Sequence, residues 1–177
     1  QVGVMYVNML DALAMQRKLA KADSMMAQWA RAQPTSGIRL SSAFRWAFSK
    51  GEYDRALAYA DSVGTRNDPS WQRISRHQRG VVFRVRGQLA SADREELREA
   101  EIARTSGTPA QVMVAQVEMA MSDIQVPGRA VAGLRRIDSA VGKFPMNSVN
   151  PADRPYLFLS AFYVRAGEVG KAERTLP

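Results

Sequence analysis

The chain has 177 residues, 46% of them hydrophobic, which is enough to bury a core of its own. It has no cysteine and one histidine, which excludes a disulfide framework and a thiolate metal site and argues against histidine-based zinc or triad chemistry. The formal charge is +8, and all of the excess lies in residues 1–90, which hold 14 basic and 6 acidic side chains against 11 of each in residues 91–177.

The N-terminal residues and the apolar runs of the sequence give expectations about where the protein is located. The first six residues contain no initiator methionine, no basic stretch and no long apolar run, so we interpret them as a cut inside a longer protein rather than as a signal peptide. Other apolar runs are short and interrupted, far below the roughly 20 residues that a bilayer requires, and membrane insertion is not expected. A cytoplasmic location is favoured, with a periplasmic one as the alternative if a membrane segment flanks this chain.

Apolar periodicity and chain-breaking residues predict ten helices. In chain order they cover residues 3–15, 18–32, 36–49, 53–64, 69–86, 89–105, 109–123, 129–142, 152–166 and 168–176. Prolines at positions 34, 69 and 145 end three of them, because proline cannot continue the backbone hydrogen-bond ladder. The predicted fold class is therefore all-α.

A glycine followed five residues later by a small residue recurs along the chain. The pairs are Arg17 with Ala22, Gly51 with Ala56, Gly87 with Ala92, Gly128 with Gly133, and Gly167 with Ala172. We call the first member of each pair the anchor; the first pair lacks the glycine and the fourth has a second glycine in place of alanine. The anchors are 34, 36, 41 and 39 residues apart. Such a period with two helices per unit is typical of a helical solenoid.

The residues eleven, eight, seven and four places before each anchor test this repeat, because that spacing falls on one helical face. Four of the five units are largely apolar there, as in Leu40, Ala43, Phe44 and Ala47 of the second unit. The third unit departs, with Arg76 and Arg79 at two of the offsets. We favour a rotated helix in which Trp71, Ile74, Val82 and Val85 supply the core; the alternative is that the arginine stems pack while their heads reach water.

This arrangement resembles the tetratricopeptide repeat. The first helix of that repeat is matched by Tyr156, Leu159, Ser160 and Tyr163, and its later alanine and proline by Ala22 and Pro34. The resemblance implies a right-handed superhelix of antiparallel helix pairs, forming one domain over residues 1–177. Its units would be 3–34, 36–68, 69–106, 109–145 and 151–177, the last one truncated. By fold-level analogy, we expect the repeat region of a larger bacterial signalling or regulatory protein.

In this resemblance the first helix of each unit lines a concave groove that binds a peptide or protein segment. The groove candidates by offset are Arg45, Phe48, Ser49, His77, Arg84, Glu118 and Arg165. Arg45, His77, Arg84 and Arg165 would form a basic line suited to an acidic peptide or a terminal carboxylate, which arginine grips with two parallel hydrogen bonds. The alternative is that they are solvated surface side chains of an arginine-rich protein.

Two other classes of function are weaker. A helical-repeat nucleic-acid binder would use the basic N-terminal half, with the cluster Arg66, Arg73, Arg76, Arg79, Arg84 and Arg86. No base-reading pair recurs at matching offsets, so nucleic acid is the less favoured partner. No acid, base and nucleophile stand together in the sequence either, and we expect neither catalysis nor a cofactor or metal. The oligomeric state is left open.

Overall fold

The computed structural model describes residues 2–176, which form ten α-helices and two short 3-10 helices with no strand among them. The α-helices are α1 (Val2–Met15), α2 (Leu19–Ala32), α3 (Gly37–Ser49), α4 (Tyr53–Gly64), α5 (Pro69–Val85), α6 (Leu89–Ser106), α7 (Pro109–Ile124), α8 (Ala130–Lys143), α9 (Tyr156–Arg165) and α10 (Val169–Thr175). The 3-10 helices are Met146–Ser148 and Pro151–Asp153. The predicted all-α class is confirmed. Within the described range, no helix combines the length and the apolarity that crossing a membrane requires.

The chain divides into two compact units, Gln1–Glu95 and Glu96–Pro177, with the boundary inside α6. Every predicted helix is present, and the bounds agree within one residue except at the start of α9. That helix was expected from residue 152 but begins at Tyr156. Pro155 forces the preceding Arg154 into an extended conformation with ψ of 121°, which delays the helix.

The five anchors share a left-handed backbone conformation. Their φ values are 55° at Arg17, 75° at Gly51, 72° at Gly87, 83° at Gly128 and 80° at Gly167, and no other residue of the described range has a positive φ. Helices α2, α4, α6, α8 and α10 each begin two residues after an anchor. Glycine adopts this conformation without steric cost, whereas the Cβ of other residues opposes it. The recurring glycine of the sequence is therefore the residue that ends one helix and sets the start of the next.

Four of the five anchors lie in a Schellman motif, which satisfies the last carbonyls of the preceding helix. The amide after the anchor donates to the carbonyl five residues earlier, from Lys18 to Leu13 (2.9 Å), Glu52 to Ala47 (2.9 Å), Gln88 to Phe83 (2.8 Å) and Glu168 to Tyr163 (2.8 Å). The fourth connection differs, since α7 ends at Ile124 and the Arg129 amide donates to Val126 at 3.0 Å. The predicted helices 109–123 and 129–142 likewise leave five residues for this connection.

The small residue five places after each anchor is buried in all five pairs. Ala22, Ala56 and Ala92 are fully buried, Ala172 is 4% exposed, and Gly133 is buried on α8. Small side chains allow the backbones of neighbouring helices to approach closely. At Gly133 even alanine is too large, because its Cβ would lie 2.9 Å from the carbonyl oxygen of Ala120. This contact explains why the fourth pair has a second glycine.

The core of the first unit consists of two apolar clusters that share α3. The first cluster joins Leu10 of α1, Trp29 and other residues of α2, and Ala43 of α3. The second joins Phe44 and Ala47 of α3 to residues of α4 and to Val82 of α5. Consecutive residues of α3, 43 and 44, thus belong to different clusters.

The core of the second unit is one cluster built from α7 to α10. Met113, Ile137, Leu159 and Phe162 are its largest fully buried side chains, and Val149 of the segment between α8 and α9 packs with them.

Tyr163 is a buried residue of this cluster, and its hydroxyl contacts the ion pair between Asp138 and Lys171. Its hydroxyl donates to Oδ1 of Asp138 at 3.5 Å, and Lys171 Nζ binds both oxygens of the same carboxylate at 3.0 Å. Burial raises the pKa of Tyr163 to about 12, and the negative charge of Asp138 adds to the increase.

Replacing Arg17 with glycine should raise the free energy of unfolding by about 1 kcal/mol, because glycine removes the Cβ that opposes a positive φ. The matched change, Gly51→Ala, should lower it by about 1–2 kcal/mol. Apart from residue 51 and its two neighbours in the chain, no residue has an atom within 4 Å of the new Cβ, so this second change tests the backbone conformation alone. Urea unfolding of the two variants beside the wild type measures both effects; changes of the same sign would contradict the interpretation.

The Tyr163 phenol should ionise near pH 12 rather than near its usual pH 10. Because the folded protein then binds this proton more tightly than the unfolded chain, the free energy of unfolding should decrease as pH rises from about 10 to about 12. Tyr163→Phe should remove that part of the decrease. Ultraviolet absorbance titration and unfolding at alkaline pH measure the two effects, with Tyr156→Phe as the matched control. A phenol in wild type that ionises with the other tyrosines would refute the assignment.

Candidate binding surfaces

Two of the predicted groove residues lie in one cleft of the first unit. Arg45 and Ser49 line a space of about 230 Å³ between α1 and α3, together with Leu10, Asp11 and Trp46. We call it the α1–α3 cleft. Arg45 Nη2 lies 3.2 Å from Asp11 Oδ1, and both side chains are more than half exposed. An exposed pair of this kind contributes little to stability, so Arg45 can exchange Asp11 for a carboxylate of a partner at little cost.

The other predicted groove residues of the first unit have different surroundings. Phe48 is half-buried, and its ring centroid lies 5.8 Å from that of Phe44 and 5.5 Å from that of Tyr53. His77 is half-buried on α5. Arg84 is mostly buried, with its Nη2 3.9 Å from Asp93 Oδ1. Of the five candidates in this unit, the structure therefore brings Arg45 and Ser49 to one cleft.

The last two predicted groove residues belong to the second unit. Glu118 is half-buried on α7, and Arg165 is exposed at the end of α9. Neither lines the large cleft of this unit that is described below.

The arginines between residues 66 and 86 are largely paired within the chain. Four of them form ion pairs with carboxylates of the first unit. Arg86 lies 2.7 Å from Asp54, and Arg84 lies 3.9 Å from Asp93. Arg79 pairs with both Asp61 and Glu95, and Glu95 also pairs with Arg76. Arg66 donates to the Thr35 carbonyl at 2.5 Å and lies over the Trp71 ring. The positive charge of four of the six arginines in this stretch is thus matched by acids that lie between 9 and 32 residues away along the chain.

Glu95 explains why α5 departs from the repeat pattern. Its carboxylate is almost fully buried and lies 2.9 Å from Arg76 Nη1 and 3.3 Å from Arg79 Nε. The core role predicted for Val85 is wrong, since that side chain is 52% exposed, whereas Val82 is fully buried as predicted. Arg76 and Arg79 thus bind a buried carboxylate of α6, whereas the alternative predicted from the sequence had their charged groups in water.

The second unit contains a larger cleft with a basic lining. About 670 Å³ of space lies between α6, α7 and α8, and we call it the α6–α8 cleft. Its apolar lining includes Leu97, Val112 and Phe144, and its basic lining consists of Arg104, Arg135, Arg136 and Lys143. The α8 residues 132, 135, 136, 139 and 143 lie on one face of that helix, next to the face that carries the buried Gly133, Ile137 and Ala140, and Ala140 also lines the cleft.

Part of the basic lining is neutralised within the unit. Arg104 binds Glu101 at 2.6 Å, and Arg136 lies 3.3 Å from Asp123. Lys143 lies over the Phe144 ring at 5.7 Å, and neither it nor Arg135 has an ion pair within residues 2–176. The cleft therefore presents two cations beside apolar surface. Because residues 91–177 have no net charge, a charge count by halves of the sequence does not reveal this cleft. The spacing of the basic residues along α8 is the sequence signal that could have identified it.

A third cleft, of about 320 Å³, lies between α2, α3 and α4 in the first unit, and we call it the α2–α4 cleft. Trp46 Nε1 donates to Asp23 Oδ1 at 2.6 Å, and Lys50 Nζ lies 3.2 Å from Asp23 and 3.0 Å from Glu52. The indole hydrogen bond, with a further contribution from Lys50, lowers the pKa of the Asp23 carboxyl. Hydrogen bonds from Lys50 and then Arg55 lower the pKa of Glu52. Both acids are therefore held ionised by their neighbours.

No protein-family model matches this sequence, and neither the curated proteins nor the solved structures compared with it include a match.

Replacing Glu95 with glutamine should lower the free energy of unfolding by about 2–4 kcal/mol, because Arg76 and Arg79 would lose the charge of a buried partner. Glu101→Gln is the matched control, since Glu101 also pairs with an arginine but is mostly exposed, and it should have a small effect. Chemical unfolding of both variants measures the difference. Similar losses from the two changes would show that burial of Glu95 is not what makes its pairs important.

Proposed function

We propose that this chain is a non-catalytic interaction module that binds an acidic segment of another protein, as part of a larger polypeptide or complex. We further propose that its helix pairs are degenerate tetratricopeptide-like repeats stacked as a right-handed solenoid. The repeat interpretation is supported by five left-handed anchors at recurring positions, each followed by a buried small residue. Repeats of this type give extended surfaces that suit a peptide or protein ligand.

The observation that carries the proposal is the α6–α8 cleft. It offers two cations without an internal carboxylate, Arg135 and Lys143, next to the apolar side chains of Leu97 and Phe144. A segment with acidic residues on one side and apolar residues on the other matches that lining. Its carboxylates would pair with Arg135 and Lys143, and its apolar side chains would cover Leu97, which is 59% exposed.

The α1–α3 cleft supports the same function in the first unit. Arg45 is its available cation, because the exposed pair with Asp11 is weak. The groove predicted from the sequence thus remains a candidate contact for the same kind of ligand. The nucleic-acid alternative loses support, since four of the six arginines on which it depended pair with Asp54, Asp61, Asp93 and Glu95.

The proposal is tested with a short fluorescent peptide that carries glutamates on one face and leucines on the other. Arg135→Glu combined with Lys143→Glu should weaken its binding by about tenfold or more, because two attractions become repulsions. Fluorescence anisotropy measures the affinity. Arg174→Glu is the matched control, an exposed arginine of α10 outside the cleft, and should leave the affinity unchanged.

A second peptide with glutamine in place of each glutamate separates charge from apolar contact. It should bind much more weakly than the acidic peptide, and the binding of the acidic peptide should fall as salt is added. Arg45→Glu reports separately on the α1–α3 cleft. Equal binding of the two peptides, or binding by the double variant at the wild-type level, would refute the assignment of the α6–α8 cleft.

A further inference from the structure

The α2–α4 cleft contains a buried arginine without a charged partner. Arg39 of α3 is 7% exposed and lines this cleft. Its Nη2 donates to the carbonyl oxygen of Pro34 at 2.5 Å, and its Nε is buried without an acceptor. No carboxylate within residues 2–176 forms an ion pair with it. A neutral carbonyl does not balance a guanidinium charge, and buried charges in proteins are normally paired.

The other charges of the cleft balance one another. Lys50 binds both Asp23 and Glu52, and Arg55 binds Glu52 at 3.0 Å. Two cations are thus matched by two carboxylates. Arg39 is the third cation of the lining, so the cleft as a whole lacks one negative charge.

We propose that the α2–α4 cleft binds a small organic monocarboxylate whose carboxylate pairs with Arg39. A single carboxylate supplies the one negative charge that the cleft lacks, and a planar guanidinium can form two parallel hydrogen bonds with that group. Met26, Ala43, Trp46 and Tyr59 give the cleft apolar and aromatic walls that fit a hydrocarbon body. Its volume of about 320 Å³ is within the range of small-molecule sites. This site is separate from the α6–α8 cleft, and either proposal can fail without the other.

The experiment uses hexanoate as the probe and hexanamide, its uncharged counterpart, as the matched ligand. Titration calorimetry on the whole chain should show saturable binding of hexanoate and none of hexanamide. Hexanoate should also raise the melting temperature, because it binds the folded state alone. Arg39→Gln should weaken hexanoate binding by about tenfold or more, whereas Arg174→Gln, at an exposed arginine of α10 that lines neither cleft, should not change it.

A second variant keeps the test decisive if Arg39→Gln fails to fold. Ala27 lies on the cleft lining and is exposed, so Ala27→Leu fills part of the space while Arg39 and its bond to Pro34 remain. It should also weaken hexanoate binding. Inorganic phosphate at equal ionic strength should not displace hexanoate. The proposal is overturned if wild type shows no saturable binding, if hexanamide binds equally, if both variants bind like wild type, or if phosphate displaces the probe.

Discussion

The left-handed residue between the two helices of each pair is the constraint on which the rest of the structure depends. Its conformation closes the first helix and places the first turn of the second helix at a fixed distance along the chain. The residue five places after it is then buried, and at Gly133 even a Cβ would lie 2.9 Å from the carbonyl oxygen of Ala120. The glycine and the small residue are therefore two parts of one requirement, and this explains why they recur together.

Much of the fold was accessible from the sequence because it is encoded locally. The ends of the helices depend on residues close together in the chain, and the predicted bounds were confirmed within one residue except at the start of α9. The start of α9 also has a local cause, the extended conformation that Pro155 imposes on Arg154, but the prediction did not use it. Met9, eight places before the first anchor, lies on the predicted apolar face of α1 but is 53% exposed, because burial depends on which neighbours cover a helix. Gly133 is explained only by the carbonyl of Ala120, which no local pattern identifies.

The binding surfaces were harder to predict, since they depend on charges that meet through the fold. A count of arginines cannot show that Glu95 is shared by Arg76 and Arg79, or that Asp54 reaches Arg86. Arg39 looks in the sequence like any other surface arginine, and its burial follows from the packing around α3. The basic side chains that remain available for a partner are thus those that no internal acid reaches, and this depends on the positions of the acids in the fold.

Because α3 belongs to both apolar clusters of the first unit, it affects how that unit unfolds locally. Ala43 faces the cluster shared with α1 and α2, while Phe44 and Ala47 face the cluster shared with α4 and α5. If α1 and α2 separate from α3, one side of α3 is exposed and the other side stays packed against α4 and α5. If α4 and α5 separate from it, the opposite holds. Amide hydrogens of α3 therefore become accessible to exchange with solvent only when both clusters open, and we expect this helix to be the slowest-exchanging segment of its unit, with the outer helices exchanging through smaller openings.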